Sequence, residues 1–340
     1  MDYPFGFVDD SNVAKITAWN IVHDEMLPIM KLYTDPSVTD IFVDRYNKVN
    51  VMRKGLLEQT DVTFESEVAV QSLVRQFATT LDQQFDIHHP ILDARLPDGS
   101  RLNCTFQTIT PSGITMSLRK VPVNHLVKSD FIDSGMLTEE MLDYLIQVIV
   151  DKDIFLISGN MGSGKTSLLR FLTEYIDKRE RLVVGEDTQE LGHAIDNFPF
   201  GIAMEAAKRD EGGIGLPELI HSMLRQQPDR AWVGELRVAA AVDAFLQVIY
   251  TGLRGCAATI HGSSCDNSIL RMQYLLASAG NVDFHLTGEL IKGAINVVIQ
   301  THRDPKWGRR VTEIGRIVNS EMKLIFKFNE ETGEHERLDK

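Results

Sequence analysis

Residues 159–166, with the sequence GNMGSGKT, constrain this chain more than any other segment. They match the pattern G-x-x-x-x-G-K-[ST], in which backbone N–H groups surround phosphate oxygens, the lysine reaches the β- and γ-phosphates and the hydroxyl meets Mg²⁺. An apolar run at 154–158 precedes the pattern, and a helical pattern begins at Ser167. A helix that starts here would point its free N–H groups at the anion. The segment therefore predicts a phosphate-binding loop between a buried strand and a helix.

The predicted nucleotide-binding residues are this loop and the residue that follows it. They are Gly159, Asn160, Met161, Gly162, Ser163, Gly164, Lys165, Thr166 and Ser167. The lysine is expected to bind the phosphates and the threonine hydroxyl to bind Mg²⁺. The ligands predicted by this segment are a nucleoside triphosphate and Mg²⁺.

Length and charge limit the classes of protein to which the chain can belong. At 340 residues it exceeds the size at which one hydrophobic core stops growing, so two domains are expected. Its 48 acidic and 35 basic residues give a net charge of −13. That balance disfavours a large nucleic-acid groove, which needs Lys and Arg to neutralise phosphates. We therefore expect no direct nucleic-acid partner, although a local basic pore stays possible.

The cysteines and the apolar runs bear on the compartment. Cys104, Cys256 and Cys265 show neither C-x-x-C pairing nor zinc-like spacing, which favours a reducing cytosol. The first ten residues include three aspartates, unlike a signal peptide, and no apolar run approaches the ~18 residues of a membrane span. We expect a cytoplasmic protein whose membrane contact comes through partners.

The periodicity of apolar residues predicts two domains of different class. Residues 1–122 are predicted to form a smaller α+β domain, with short strands and a helix at 65–81. A linker is expected at 123–134, and residues 135–340 alternate strands and helices. The predicted fold class is α/β, a RecA-like P-loop NTPase domain with a parallel sheet that holds nucleotide at the carboxyl ends of its strands. Residues 308–340 look like a polar hairpin extension.

Two acidic residues follow apolar strands downstream of the loop. Glu186 lies in VVGEDTQE and Glu235 in WVGELR, each directly after a glycine. Phosphoryl transfer needs a carboxylate to hold Mg²⁺ or to orient water, and strand ends commonly supply it. Either acid alone could equally be a solvated residue at a strand end. Together they predict a metal site formed by Thr166, Glu186 and Glu235.

His261 and two arginines are further candidates. His261 ends the apolar run AATI, and strand ends on one rim converge on one ligand, although a lone histidine there is as often structural. Arg101 and Arg119 lie on predicted strands of the first domain. By pattern alone they read more readily as surface charge.

Four segments in this order resemble the traffic ATPases of type II and type IV secretion systems. They are the loop at 159–166, EDTQEL at 186–191, LRQQPDRAWVGELR at 224–237, and TG at 251–252 followed by TIH at 259–261. LPDGSR at 96–101 and SLRK at 117–120 are most similar to the branch with VirB-type, conjugal-transfer (Trb-type) and Tad-pilus ATPases. The resemblance covers about residues 35–300.

The resemblance implies an activity and a set of roles. It implies Mg²⁺-dependent ATP hydrolysis with Glu235 as the catalytic glutamate and Glu186 positioning Mg²⁺ or water. His261 resembles the family's histidine box, although Leu253 stands where many relatives carry a second histidine. Arg101 and Arg119 resemble arginines that the N-terminal domain brings to the nucleotide.

The resemblance also implies an assembly. It implies a homo-hexameric ring that hydrolyses ATP at the inner face of a membrane and powers type IV secretion, conjugation or pilus assembly. The partners would be inner-membrane and coupling components of that machine. Two alternatives remain open at this point: a RecA-like nucleic-acid motor, and a ring scaffold that binds nucleotide but hydrolyses it poorly.

Overall fold

A computed structural model describes residues 13–53, 56–120, 126–195, 198–206, 213–278, 280 and 283–339. Contacts within the chain divide it into two compact units, Met1–His125 and Leu126–Lys340. No helix within these described ranges is both long enough and apolar enough to cross a membrane.

The first unit combines an antiparallel sheet with three described helices. The helices are α1 (Val13–Glu25), α2 (Leu27–Thr34) and α3 (Glu67–Thr80). The strands are β1 (Val38–Arg45), β2 (Lys48–Arg53), β3 (Leu56–Gln59), β4 (Ile91–Arg95), β5 (Arg101–Thr105) and β6 (Thr115–Arg119). Their order is β3-β2-β1-β6-β5-β4, and every pair is antiparallel.

Alternation along these strands places the first core on one face of the sheet. In β5, Leu102 and Cys104 are buried, and the residues between and beside them are on the opposite face. Helix α3 packs Leu73 and Phe77 into the same core, and Ser66 caps its N-terminus by accepting a hydrogen bond from the Ala69 amide. The opposite face of β5 and β6 carries the predicted arginines Arg101 and Arg119.

The second unit is built around a single sheet with helices. Its helices are α4 (Lys128–Asp133), α5 (Glu139–Val150), α6 (Lys165–Leu172), α7 (Gly192–Ile195), α8 (Leu216–Arg225), α9 (Ala239–Tyr250), α10 (Cys265–Ser278) and α11 (Phe284–Ala294). Its strands are β7 (Phe155–Gly159), β8 (Leu182–Glu186), β9 (Ile202–Glu205), β10 (Arg230–Val233), β11 (Ala257–Ile260), β12 (Val297–Asp304), β13 (Gly308–Val318), β14 (Glu321–Asn329) and β15 (Glu334–Arg337).

The strand order in this sheet is β15-β14-β13-β12-β7-β11-β10-β8-β9. From β12 to β9 the neighbouring strands are parallel, whereas β13, β14 and β15 add antiparallel strands at the other side. The predicted α/β fold is confirmed. The parallel part places the carboxyl ends of β7, β11, β10 and β8 in succession along one edge of the sheet.

The structure differs from the sequence-based expectation at both ends of this unit. The segment predicted as a linker at 123–134 begins outside the described residues and then forms α4, whose Phe131 is buried and stacks on Phe171 with ring centroids 4.3 Å apart. The segment predicted as a polar hairpin extension buries Val311, Ile314 and Phe326. Part of β13 and β14 therefore belongs to the core, although the composition of this segment is polar.

Candidate nucleotide-binding site

The phosphate loop leaves β7, a strand with every residue buried, and enters α6 at Lys165. Its glycines are required by backbone shape and by space. Gly164 has a φ of +97°, in the left-handed region that favours glycine, and immediately precedes the helix. A Cβ on Gly159 would lie 2.3 Å from the carbonyl oxygen of Thr301. The loop is therefore fixed against the end of β12.

Lys165 is buried although it is charged. Its ammonium donates hydrogen bonds to the carbonyl oxygens of Gly159 at 3.0 Å and Asn160 at 3.1 Å. Ser163, also buried, donates to the Asn160 carbonyl at 2.8 Å. These bonds close the loop on itself at the N-terminus of α6, where helix N–H groups favour an anion. The residue predicted to bind the metal, Thr166, lies in the first turn of that helix.

Glu235, His261 and Gly159 form a connected group at the carboxyl edge of the sheet. Nδ1 of His261 lies 3.2 Å from the carbonyl oxygen of Gly159, and Nε2 lies 2.7 Å from Oε1 of Glu235. Because β11 lies between β7 and β10, the histidine that follows β11 spans the distance from the loop to the glutamate. The structure thus brings together three residues that sequence analysis assigned to the site.

The two oxygens of the Glu235 carboxylate have different surroundings. Oε2 accepts hydrogen bonds from Nε of Arg237 at 2.9 Å and from its terminal nitrogen at 2.6 Å. Oε1 is buried, and despite the nearby histidine it has no aligned hydrogen-bond donor among the described residues. Burial has the largest effect on the pKa of Arg237 and lowers it. The hydrogen bonds and the negative charge of Glu235 raise this pKa, and the overall shift is upward. Arg237 is not among the site residues predicted from the sequence, although it stands two residues after the glutamate.

Glu186 lies at the end of β8, and its carboxylate oxygens are bonded to backbone amides of its own chain segment. It is 2% exposed, and its two carboxylate oxygens accept hydrogen bonds from the amides of Glu190 and Leu191 at 3.0–3.1 Å. A Cβ on Gly234 would lie 3.0 Å from Cγ of Glu186, so the glycine before Glu235 leaves space for this side chain. Glu186 holds the turn that follows its own strand.

The residues present fit a magnesium ion that is bound mainly through its nucleotide. Within the described ranges, no group of three or more His, Cys, Asp or Glu side chains could hold a metal ion unaided. Mg²⁺ in phosphoryl-transfer sites usually takes one or two protein oxygens together with phosphate and water. The buried Oε1 of Glu235 offers an oxygen of this kind, and Thr166 offers a hydroxyl at the loop.

The two predicted arginines of the first unit lie side by side. Arg101 on β5 is directly opposite Arg119 on β6, and Arg95 on β4 is directly opposite Arg101. Nε of Arg119 also lies 4.0 Å from the carboxylate of Asp40. Directly opposite residues share a face, so three arginines form a row across neighbouring strands, which is unfavourable between like charges. Arg95 is not among the residues predicted from the sequence, since only the strand register reveals the row.

A parallel sheet whose buried strand enters a glycine-rich phosphate loop, with a carboxylate two strands away, defines a RecA-like P-loop ATPase domain. The family described as Type II/IV secretion system protein matches residues 22–315, and the chain belongs to this family. The predicted family is therefore confirmed.

Curated relatives and solved structures agree with this assignment. The chain is 29% identical over 252 residues to conjugal transfer protein TrbB of Rhizobium radiobacter, covering 72% of this chain and 73% of that protein. It is 23% identical over 343 residues to type IV secretion system protein VirB11 of Brucella suis, covering 92% and 94%. The structure of the Legionella pneumophila ATPase DotB superposes with a TM-score of 0.61 at 18% identity, covering 86% and 82%, and shares the fold.

Proposed function

We propose that this chain hydrolyses ATP in a Mg²⁺-dependent reaction and acts as a ring motor of a secretion, conjugation or pilus-assembly system. The observation that carries the proposal is the placement of Glu235. Its buried Oε1 has no aligned donor among the described residues, and His261 connects this carboxylate to the first residue of the phosphate loop. A carboxylate held in this way can orient and deprotonate water beside a phosphate.

Each residue of the site has a proposed task. Lys165 and the loop amides bind the phosphates, and Glu235 orients the attacking water and accepts its proton. Arg237 fixes one oxygen of that carboxylate, and His261 positions the other relative to the loop. When bound, Mg²⁺ would neutralise charge on the phosphate oxygens, with Thr166 and Glu235 as its protein oxygens.

Glu186 takes a different role from the metal ligand expected from sequence. Its oxygens are already engaged by two backbone amides, and it is buried. A carboxylate that is bonded in this way stabilises a turn, here the one at 187–191. We infer that Glu186 is a positioning residue for the acidic segment beside the nucleotide.

The proposed activity is tested by phosphate release from ATP by the purified full chain. We expect turnover with Mg²⁺ and its loss, by a factor of at least about 10², when EDTA is added, because the metal neutralises charge that develops in transfer. Restoring excess Mg²⁺ should restore the rate. Undiminished turnover in EDTA would contradict the metal dependence, and no turnover at all, with nucleotide bound, would favour the scaffold alternative.

Arg101 provides a separate test of the first unit's contribution. We propose that Arg101 and Arg119 act on the nucleotide, and Arg101→Ala should lower turnover by about 10³ because it removes charge that stabilises the transition state. Arg45→Ala, which removes an exposed arginine from β1 of the same sheet, is the matched control. If the folded Arg101 variant hydrolyses ATP as fast as the wild type, Arg101 does not act at the nucleotide.

The assembly and its place in the cell are further parts of the proposal. Relatives are named for conjugal transfer and type IV secretion, which supports a role in a machine of this kind. The proposal adds that the chain forms a homo-hexamer in the cytoplasm and docks on inner-membrane components of that machine. Light-scattering mass measurement with and without ATP tests the hexamer. The rival nucleic-acid motor needs a large basic groove, which the net charge of −13 disfavours. Strong stimulation of hydrolysis by DNA would favour that rival.

A further inference from the structure

The turn that joins β12 to β13 lies beside the phosphate loop in the second unit. At the end of β12, Oγ1 of Thr301 lies 2.8 Å from Oγ of Ser163 in the loop. Two residues further, a guanidinium nitrogen of Arg303 lies 3.9 Å from where a Cβ on Gly162 would be. The last residues of β12 therefore follow the loop to its exposed apex.

The first residues of β13 contact the same part of the loop. Nε of Arg309 donates a hydrogen bond to the carbonyl oxygen of Gly162 at 3.0 Å. Cδ of Arg309 lies 3.5 Å from the position of a Cβ on Gly164. Gly162 and Gly164 have φ values of +72° and +97°, so this arginine spans the two left-handed residues that give the loop its curvature. Its position suits a residue that maintains the shape of the loop.

The charges around this turn are predominantly positive. Arg303 and Arg309 are directly opposite each other on antiparallel strands, and His302 is opposite Arg310. The side chain of Arg310 is half-buried, and this burial lowers its pKa. Like charges that face each other across strands are destabilising unless an anion lies near them.

The acidic residue of the turn, Asp304, stabilises the turn through hydrogen bonds to its backbone. Oδ1 of Asp304 accepts hydrogen bonds from the backbone amides of Lys306 at 2.6 Å and Trp307 at 2.7 Å. Asp304 thus fixes the reversal of the chain that places the two arginines opposite each other. Asp304 also places a negative charge near Arg310. Arg303 and Arg309 add positive charge directly beside the loop, where it would attract the phosphates of a bound nucleotide.

We propose that the β12–β13 turn is part of the nucleotide site, with Arg303 binding the phosphates and Arg309 positioning the loop. The inference rests on the proposed function, because it takes ATP as the ligand of the loop. It adds a nucleotide-binding element more than 130 residues downstream of the loop, since Arg303 and Thr166 are 137 positions apart (303 − 166). The two arginines have different roles, so their replacement should change nucleotide binding in different ways.

The test measures equilibrium binding of a non-hydrolysable ATP analogue, ADP and AMP to the full chain. Arg303→Ala should weaken binding of the ATP analogue by about tenfold and of AMP by less than about twofold, because a charge-assisted phosphate contact is lost. Arg309→Ala should weaken the ATP analogue and ADP by a similar factor. Arg309→Gln should recover part of that loss because its amide can still donate to the Gly162 carbonyl. Lys327→Ala on β14 removes an exposed cation of the same sheet and should bind as the wild type does.

The outcomes separate this inference from the proposed function. If Lys165→Ala abolishes binding whereas Arg303→Ala and Arg309→Ala bind all three nucleotides as Lys327→Ala does, the turn has no part in the site and the ATPase proposal stands. A wild-type chain that binds no nucleotide overturns both. Thermal unfolding checks each variant, and should Arg309→Ala not fold, Arg303→Ala and Arg309→Gln decide the question. Equal weakening for AMP and the ATP analogue by Arg303→Ala would also contradict a phosphate contact.

Discussion

Replacing Lys165 with alanine is expected to abolish measurable ATP turnover and to weaken nucleotide binding severely. The ammonium is buried and donates hydrogen bonds to the carbonyl oxygens of Gly159 and Asn160, at the N-terminus of α6. Removing one preorganised donor from a site of developing charge costs about 10²–10³ in rate, and in the proposed site the same group would also hold the ground-state phosphates. Binding and catalysis should therefore fail together.

The control for this prediction is Lys323→Ala, which removes an exposed lysine from β14. Phosphate release and equilibrium binding of ADP are measured for both variants and for the wild type. Thermal unfolding of Lys165→Ala should stay cooperative, because the loop also keeps its shape through Ser163 and Thr301. Turnover within about twofold of the wild type in a folded Lys165 variant would contradict the assignment of this loop as the ATP site.

The phosphate loop could be predicted from sequence because its chemistry is local. Eight consecutive residues carry the binding groups, and the buried strand and the helix on either side show directly in the apolar pattern. Helices α8 and α9 also show in the sequence, since their apolar residues repeat at helical spacing along their whole length. By contrast, α1 and α2 escaped prediction, and α1 buries Trp19 and Val22 without a continuous apolar stripe.

The contacts within the site depend on strand order, which the sequence does not contain. His261 bridges Glu235 and Gly159 only because β11 lies between β10 and β7. Sequence spacing likewise could not show that Thr301 closes against the loop. The direction in which an acidic side chain points at the end of a strand also depends on tertiary contacts. Glu186 and Glu235 follow similar strands, yet the first bonds to its own downstream turn and the second faces the loop through His261.

Glu235→Gln is expected to separate binding from hydrolysis. The amide has the shape of the carboxylate. Although the variant exchanges one proposed Mg²⁺ oxygen for an amide, Lys165, Thr166 and the loop amides still hold the phosphates and the metal, so binding of ATP should remain within about threefold of the wild type. An amide cannot accept a proton from water, and loss of a general base costs about 10²–10⁴ in rate. The variant should therefore bind ATP and retain it uncleaved, in contrast to Lys165→Ala.

The interactions of Glu235 indicate that the variant will fold. A glutamine oxygen can still accept from Arg237, and its amide hydrogens can donate to Nε2 of His261 while Nδ1 donates to the Gly159 carbonyl. Glu289→Gln, on the exposed face of α11, is the control for a neutralised surface carboxylate.

Glu186→Gln tests which acid performs the chemistry. It should reduce thermal stability more than Glu235→Gln does, because two backbone amides lose a buried charged acceptor. If Glu186→Gln eliminates hydrolysis in a stable protein and Glu235→Gln does not, the two acids have exchanged roles, and the base lies on β8. If neither change slows phosphate release, ATP is not cleaved at the carboxyl edge of the sheet.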